Sequence, residues 1–180
     1  MEDLHKDGYN PKLPVFIQPN IGLDSDVRRS VVHLLNVTLA DEVVLATKTR
    51  CALWNARGAD FHKIQTLFEN QYQLLNNVCD ELARRARMLG GFAIGSLEEF
   101  IHLSRLEGQP GDVPDILRLL ADHETTIRSL REDVRKCTEE YEDEGTFELL
   151  VSVMRMHEKI TWLLRSCLEA DLMNGKKSAT

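Results

Sequence analysis

The 180-residue chain lacks the pattern of a β protein. No Val-, Ile- or Thr-rich run alternates with polar residues over the length of a strand, so no sheet is expected. No apolar run approaches the ~20 residues that cross a bilayer, which argues against a membrane protein. The opening MEDLHKDGYNPK is polar and has no apolar signal core, so secretion is not expected. Cysteines number four (Cys51, Cys79, Cys137, Cys167) and show no CxxC spacing, which points to reduced thiols in a cytoplasmic protein. Glycine-rich phosphate loops, nucleophile elbows, internal repeats and low-complexity segments are missing as well. Positive charge is scarce: 22 Lys and Arg stand against 29 Asp and Glu, a net charge of −7. Lys6 and Lys12 near the start and Lys176 and Lys177 near the end are too few for strong counterion release. Weak or no DNA binding is therefore expected.

What the chain does have is helical periodicity. Residues 1–22 read as an extended tail held out of helix by Pro11, Pro14 and Pro19. A first helix, capped by Asp24 or Ser25, runs to about Asn55 with Val31, Leu34, Leu35, Leu39, Val43 and Val44 on one stripe. After Gly58, with Asp60 as a candidate cap, the clearest pattern begins. Phe61, Ile64, Phe68, Tyr72, Leu75, Val78, Leu82, Ala86 and Leu89 recur every three or four residues until Gly90-Gly91 stops the helix. Ser96-Leu97-Glu98-Glu99 is a capping box for a short helix. A third long helix is expected from Asp112-Val113-Pro114, with proline in its first turn. Its buried side is Ile116, Leu119, Leu120, Ile127, Leu130 and Val134. Glu142-Asp143-Glu144-Gly145 turns the chain into a fourth, capped by Thr146, with Leu149, Val153, Met156, Ile160, Leu163 and Cys167 inward. The expected fold is all-α, a four-helix bundle with a short helix in the middle crossover connection. A domain over 23–172 would lie between the N-terminal tail and a flexible tail over 173–180.

The second helix also carries a polar stripe of His62, Gln65, Glu69, Gln73, Asn76, Asp80, Arg84 and Arg87, about 125° from the apolar one. By periodicity alone this is a solvated face. A family resemblance gives it another reading. Trp54-Asn55, Gly58, Phe61, Phe68-Glu69, Tyr72, Asp80, Ala83, Arg85 and Leu89-Gly90-Gly91 resemble the Dps family, the ferritin-like miniferritins that build hollow iron-storing shells. The resemblance covers roughly residues 19–170. It implies a homo-oligomer of twelve subunits and an iron-oxidising centre shared between two of them. By position the two His ligands of that centre fall on Leu53 and Gln65, the nearby acid on Glu69, and the partner acids on Asp80 and Arg84. Only Glu69 and Asp80 keep metal-binding chemistry. Leucine donates nothing, glutamine offers a neutral carbonyl oxygen, and Arg84 places a permanent positive charge where a cation would sit. The expectation is a lost or weakened ferroxidase plugged by arginine.

The competing expectations are an active site of relocated ligands or a structural partner of an intact Dps paralogue. Asp60, His62, His33, Cys51 and Cys79 would be the relocated set, and His with thiolate would favour zinc over iron. Asp60 also reads as a helix cap, His62 as a wet surface residue and the cysteines as packing. The Glu-x-x-His pairs of other di-iron bundles occur only at Glu2–His5 and Glu99–His102, both misplaced. His157-Glu158-Lys159 with Trp162 resembles a frequent fourth-helix pattern of the family, read as packing and salt bridging. The acidic turn reads either as complement to a helix dipole or, by resemblance, as the lining of a threefold pore. In the second case Asp143, Glu144 and Glu148 would draw metal inward. Thr66 and Asn70 stand where the family often places mineral-nucleating glutamates.

Overall fold

The computed structural model describes residues 17–58 and 61–177, the last seven by backbone alone. Five helices follow in order: α1 Ser25–Trp54, α2 Phe61–Met88, α3 Leu97–Leu103, α4 Ile116–Glu139 and α5 Glu144–Lys177. No strand occurs among the described residues. Helix α1 packs along α2, α4 packs along α5, and the short α3 crosses beside α1, which makes the expected bundle with a middle crossover.

The stops and starts follow local chemistry. Gly90 holds a positive φ of 81°, and its neighbour Gly91 lies so close to Val32 that an added Cβ would come within 2.4 Å of it. Glycine at 90–91 thus ends α2 and lets the chain turn tightly against α1. Ser96 and Glu99 form the capping box of α3. Asp24 precedes α1 in extended conformation, but its side chain makes no capping bond. Asp60, the candidate cap of α2, lies outside the described residues, as do Pro11 and Pro14 of the tail.

Three boundaries differ from the sequence reading. Helix α4 starts two residues after Pro114, with Asp115 accepting from the Arg118 amide at 2.8 Å. Proline disfavours helix at the preceding Val113, and the carboxylate just beyond offers a better cap. Helix α5 is capped by Asp143, not Thr146: Asp143 Oδ1 accepts from the Thr146 amide at 3.0 Å, three residues on. Helix α5 also continues past 172, through Lys177. Its inward stripe is turned by less than one residue: Val153 and Ile160 are buried as expected, but Leu150 and Leu164 are buried where Leu149 and Leu163 are only half so.

Two apolar clusters fill the bundle. One holds Val31, Leu35, Leu39, Leu82, Leu130 and Leu150; the other holds Leu45, Phe68, Leu75, Leu119, Ile160 and Leu164. Helix α1 is long and apolar enough to cross a membrane, with a mean hydropathy of 1.3 over its best window, contrary to the sequence reading. Most of that window is buried in the bundle. Its charged residues are tied to other elements: Asp41 to Arg105, Lys48 to Asp122 and Glu42 to His157. The apolarity of α1 is that of a core helix.

Candidate metal centre

The polar stripe of α2 faces away from the core. Gln65, Glu69, Asp80 and Arg84 are all exposed, while Leu53, at the end of α1, is half-buried against the second apolar cluster. Glu69 Oε1 accepts from Gln73 Nε2 at 3.1 Å. Arg84 Nη2 donates to Asp80 Oδ2 at 3.1 Å, an exposed pair one turn apart. Eleven residues separate Glu69 from Asp80, which is about 16 Å along a helix. Within one chain these two acids cannot share an ion. Among the described residues no three His, Cys, Asp or Glu side chains are arranged to hold a metal.

Of the relocated reading, Asp60 lies outside the described residues, and His33, His62, Cys51 and Cys79 form no group that could hold a metal. His33 and His62 are exposed, and His62 meets the edge of Phe61 with ring centroids 5.3 Å apart. Cys79 is a thiol, its pKa pushed up to about 12 by burial and further by Glu42 and Asp80. Cys51 lies beside Asn55, Sγ to Nδ2 3.8 Å. Above the centre, Arg50 is stacked between Trp54 and Tyr72, 5.1 and 5.7 Å from their ring centroids.

The acidic turn is divided. Glu144 and Glu148 are exposed on one face of the first turns of α5. Asp143 is buried and committed: Arg85 Nη2 donates to its Oδ1 at 2.6 Å, and the Thr146 hydroxyl donates to its Oδ2 at 2.6 Å. Gly145 makes room for that arginine, since an added Cβ would come within 2.8 Å of Arg85 Nη2. Asp143 therefore does not stand with Glu144 and Glu148 on the surface; capping and pairing use both of its oxygens.

The sequence reading missed a polar chain inside the bundle. His157 Nε2 lies 2.7 Å from Glu42 Oε1, and His157 Nδ1 lies 2.7 Å from His123 Nδ1. All three side chains are fully buried. Burial and the neighbouring His157 hold His123 well below the usual imidazole pKa. The signal was present: Glu42, His123 and His157 each stand where the apolar repeat of its helix calls for a hydrophobic residue. The salt-bridging role read for the His157-Glu158 pair is realised, with Glu158 bonded to Arg131 across the surface at 2.5 Å.

Comparison with known proteins places this geometry in a family context. A ferritin-like domain model matches residues 32–173. A low temperature-induced protein of Nostoc sp. is 40% identical over 167 residues, covering 89% of this chain and 93% of its own. A DNA protection during starvation protein of Agrobacterium fabrum is 28% identical over 150 residues, 80% of this chain and 91% of its own. Among solved structures, a Dps protein from Vibrio cholerae, described as one of the ferritin-like diiron-carboxylate proteins, superposes with a TM-score of 0.78. The two are 26% identical over 84% of this chain and 96% of that one.

Proposed function

We propose, for a chain that belongs to the ferritin-like domain family and within it to the Dps proteins, a role as the subunit of a cytoplasmic protein shell. The shell takes up iron as cargo and protects the cell under stress, with an oxidising centre that is much weakened. Twelve subunits close it, and it binds DNA weakly, since a net charge of −7 repels phosphate.

One observation carries the reading: Glu69 and Asp80 lie exposed on one outer face of α2, about 16 Å apart. Two carboxylates so placed act on one ion only when a second copy of α2 runs antiparallel across a twofold axis, bringing Glu69 of each chain towards Asp80 of the other. At that junction Leu53 and Gln65 supply no imidazole, and Arg84 sits one turn from Asp80, already bonded to it. A guanidinium there neutralises the carboxylates that iron would otherwise hold, and its charge opposes the entry of a cation. Exchange of a single supporting partner of a metal ligand costs about 10- to 100-fold in affinity, and three direct ligands are replaced here.

The test is iron oxidation. Wild-type protein should oxidise Fe(II) little faster than buffer, whereas Leu53→His combined with Gln65→His and Arg84→Glu should oxidise it with peroxide or oxygen. Rapid wild-type oxidation that survives Glu69→Ala with Asp80→Ala would reject a weakened centre at this place.

A further inference from the structure

The interior of the bundle holds a polar group that the outer face does not need. Glu42 of α1, His157 of α5 and His123 of α4 are linked end to end by two 2.7 Å contacts, with no exposure to solvent. Both ends of this chain are unfinished. Glu42 Oε2 and His123 Nε2 are buried without a hydrogen-bond partner among the described residues, as are Thr49 Oγ1 and both amide atoms of Gln71. Arg50 reaches the Tyr72 hydroxyl at 3.4 Å, and Lys48 reaches Asp122 at 2.5 Å. Thr49 lies between Lys48 and Arg50 in sequence, Gln71 precedes Tyr72 and His123 follows Asp122, so those two pairs link the stretches that carry the unpartnered atoms. Orphaned polar atoms in a protein interior are destabilising unless water or another group satisfies them.

Geometry limits the proton count of the chain, and burial selects the net-neutral form. An Nδ1-to-Nδ1 contact of 2.7 Å requires one nitrogen to donate and the other to accept. A net-neutral chain meets this. A carboxylate at Glu42 accepts from a doubly protonated His157, which donates to a neutral His123; moving one proton to Glu42 gives the equivalent uncharged form. Removing a proton leaves a net negative charge in the core, where desolvation opposes it. Adding one leaves a net positive charge in the core: with Glu42 ionised it sets N–H against N–H at 2.7 Å, and with the proton on Glu42 Oε2 it leaves a buried imidazolium without its counter-charge. We propose that Glu42, His157 and His123 are an acid-sensitive latch of the bundle, closed at its free ends by internal water held with Thr49 and Gln71. Taking up one further proton opens it.

The charged neighbours leave that titration to the chain itself. On α1, Asp41 is bonded to Ser104 and Arg105, and Lys48 is paired with Asp122 of α4. On α2, Cys79 is held as a neutral thiol beside Glu42, and Asp80 faces out to Arg84. Glu124 of α4 pairs with Arg165 of α5, Glu158 of α5 pairs with Arg131 of α4, and His102 of α3 is exposed.

The latch makes no use of the outer face of α2 and stands apart from the iron reading. Its test is the melting temperature of the assembled, full-length protein between pH 8 and pH 5. Wild type should be most stable near about pH 6.5: below it the unfolded histidines take a proton that the closed chain refuses, and above it the closed chain keeps a proton that the unfolded histidines release. His123→Gln can still exchange a hydrogen bond with His157 but does not titrate. It should melt within a few degrees of wild type at pH 8 and lose at least half of the acid-side drop. A variant that falls as steeply as wild type overturns the latch. Crystals of the wild type at pH 8 and pH 5 test it without any substitution. Water density at Glu42 Oε2 or His123 Nε2, and an Nδ1-to-Nδ1 distance that opens beyond hydrogen-bond range at pH 5, support it. Dry ends at pH 8, or an unchanged contact at a pH where stability has fallen, reject it.

Discussion

At the scale of single residues, position in the bundle decides chemistry that residue type leaves open. Cys79 and Cys137 are ordinary thiols in the sequence. In the fold, burial raises both to about 12, assisted by Glu42 and Asp80 at the first and by Asp143 and Asp133 at the second. With a pKa four units above pH 8, only about one thiol in ten thousand is ionised there. A disulfide reagent at pH 8 should therefore leave Cys79 and Cys137 untouched in the native protein and modify both in denaturant. Modification of either within minutes in native protein would contradict these surroundings. Asp143 makes the same point. The resemblance implies a metal-facing carboxylate there, yet Arg85, 58 positions away, and Thr146, three residues on, occupy both oxygens.

At the scale of elements, ionic braces fix the crossover that a four-helix bundle needs. Arg105, just after α3, donates through Nε to Asp41 Oδ2 on α1 at 2.7 Å and through Nη1 to Asp133 Oδ2 on α4 at 2.8 Å. Burial pushes the Asp41 carboxyl up despite that arginine, and Arg105 is itself raised as the two acids outweigh its own burial. Arg105→Ala strands two buried carboxylates and should destabilise by about 3 kcal/mol, read from urea unfolding at pH 7; a loss under 1 kcal/mol would mean that water replaces the brace. The start of α5 carries a separate prediction. Glu144→Gln with Glu148→Gln should slow entry of iron or zinc several-fold into an intact shell, followed by stopped-flow uptake. Unchanged kinetics would reduce those two acids to partners of the helix dipole.

At the scale of the whole molecule, one chain leaves large apolar side chains in water. Trp54, Met88, Leu97, Ile101 and Trp162 are each 60% or more exposed. The proposed shell would bury such residues, and light scattering at micromolar concentration should find a closed particle near twelve times 20.6 kDa. A stable monomer or simple dimer would defeat the shell.

The sequence by itself determined the helices, their order and their outer faces, because a 3.6-residue apolar repeat, a Ser96–Glu99 capping box and the Gly90-Gly91 stop are local signals. The placement of Leu53, Gln65 and Arg84 at the family's iron centre is what the motif resemblance implies, and motif position needs no coordinates. Only the tertiary structure decided which polar residues face each other. Glu42 and His157 are 115 positions apart, and Asp41 and Arg105 are 64 apart. Whether such residues pair, strand or solvate depends on the rotation and level of packed helices. A shift of one residue turns a helix face by about 100°; a smaller turn of α5 keeps Val153 and Ile160 buried, adds Leu150 and Leu164, and brings His157 to the bundle centre.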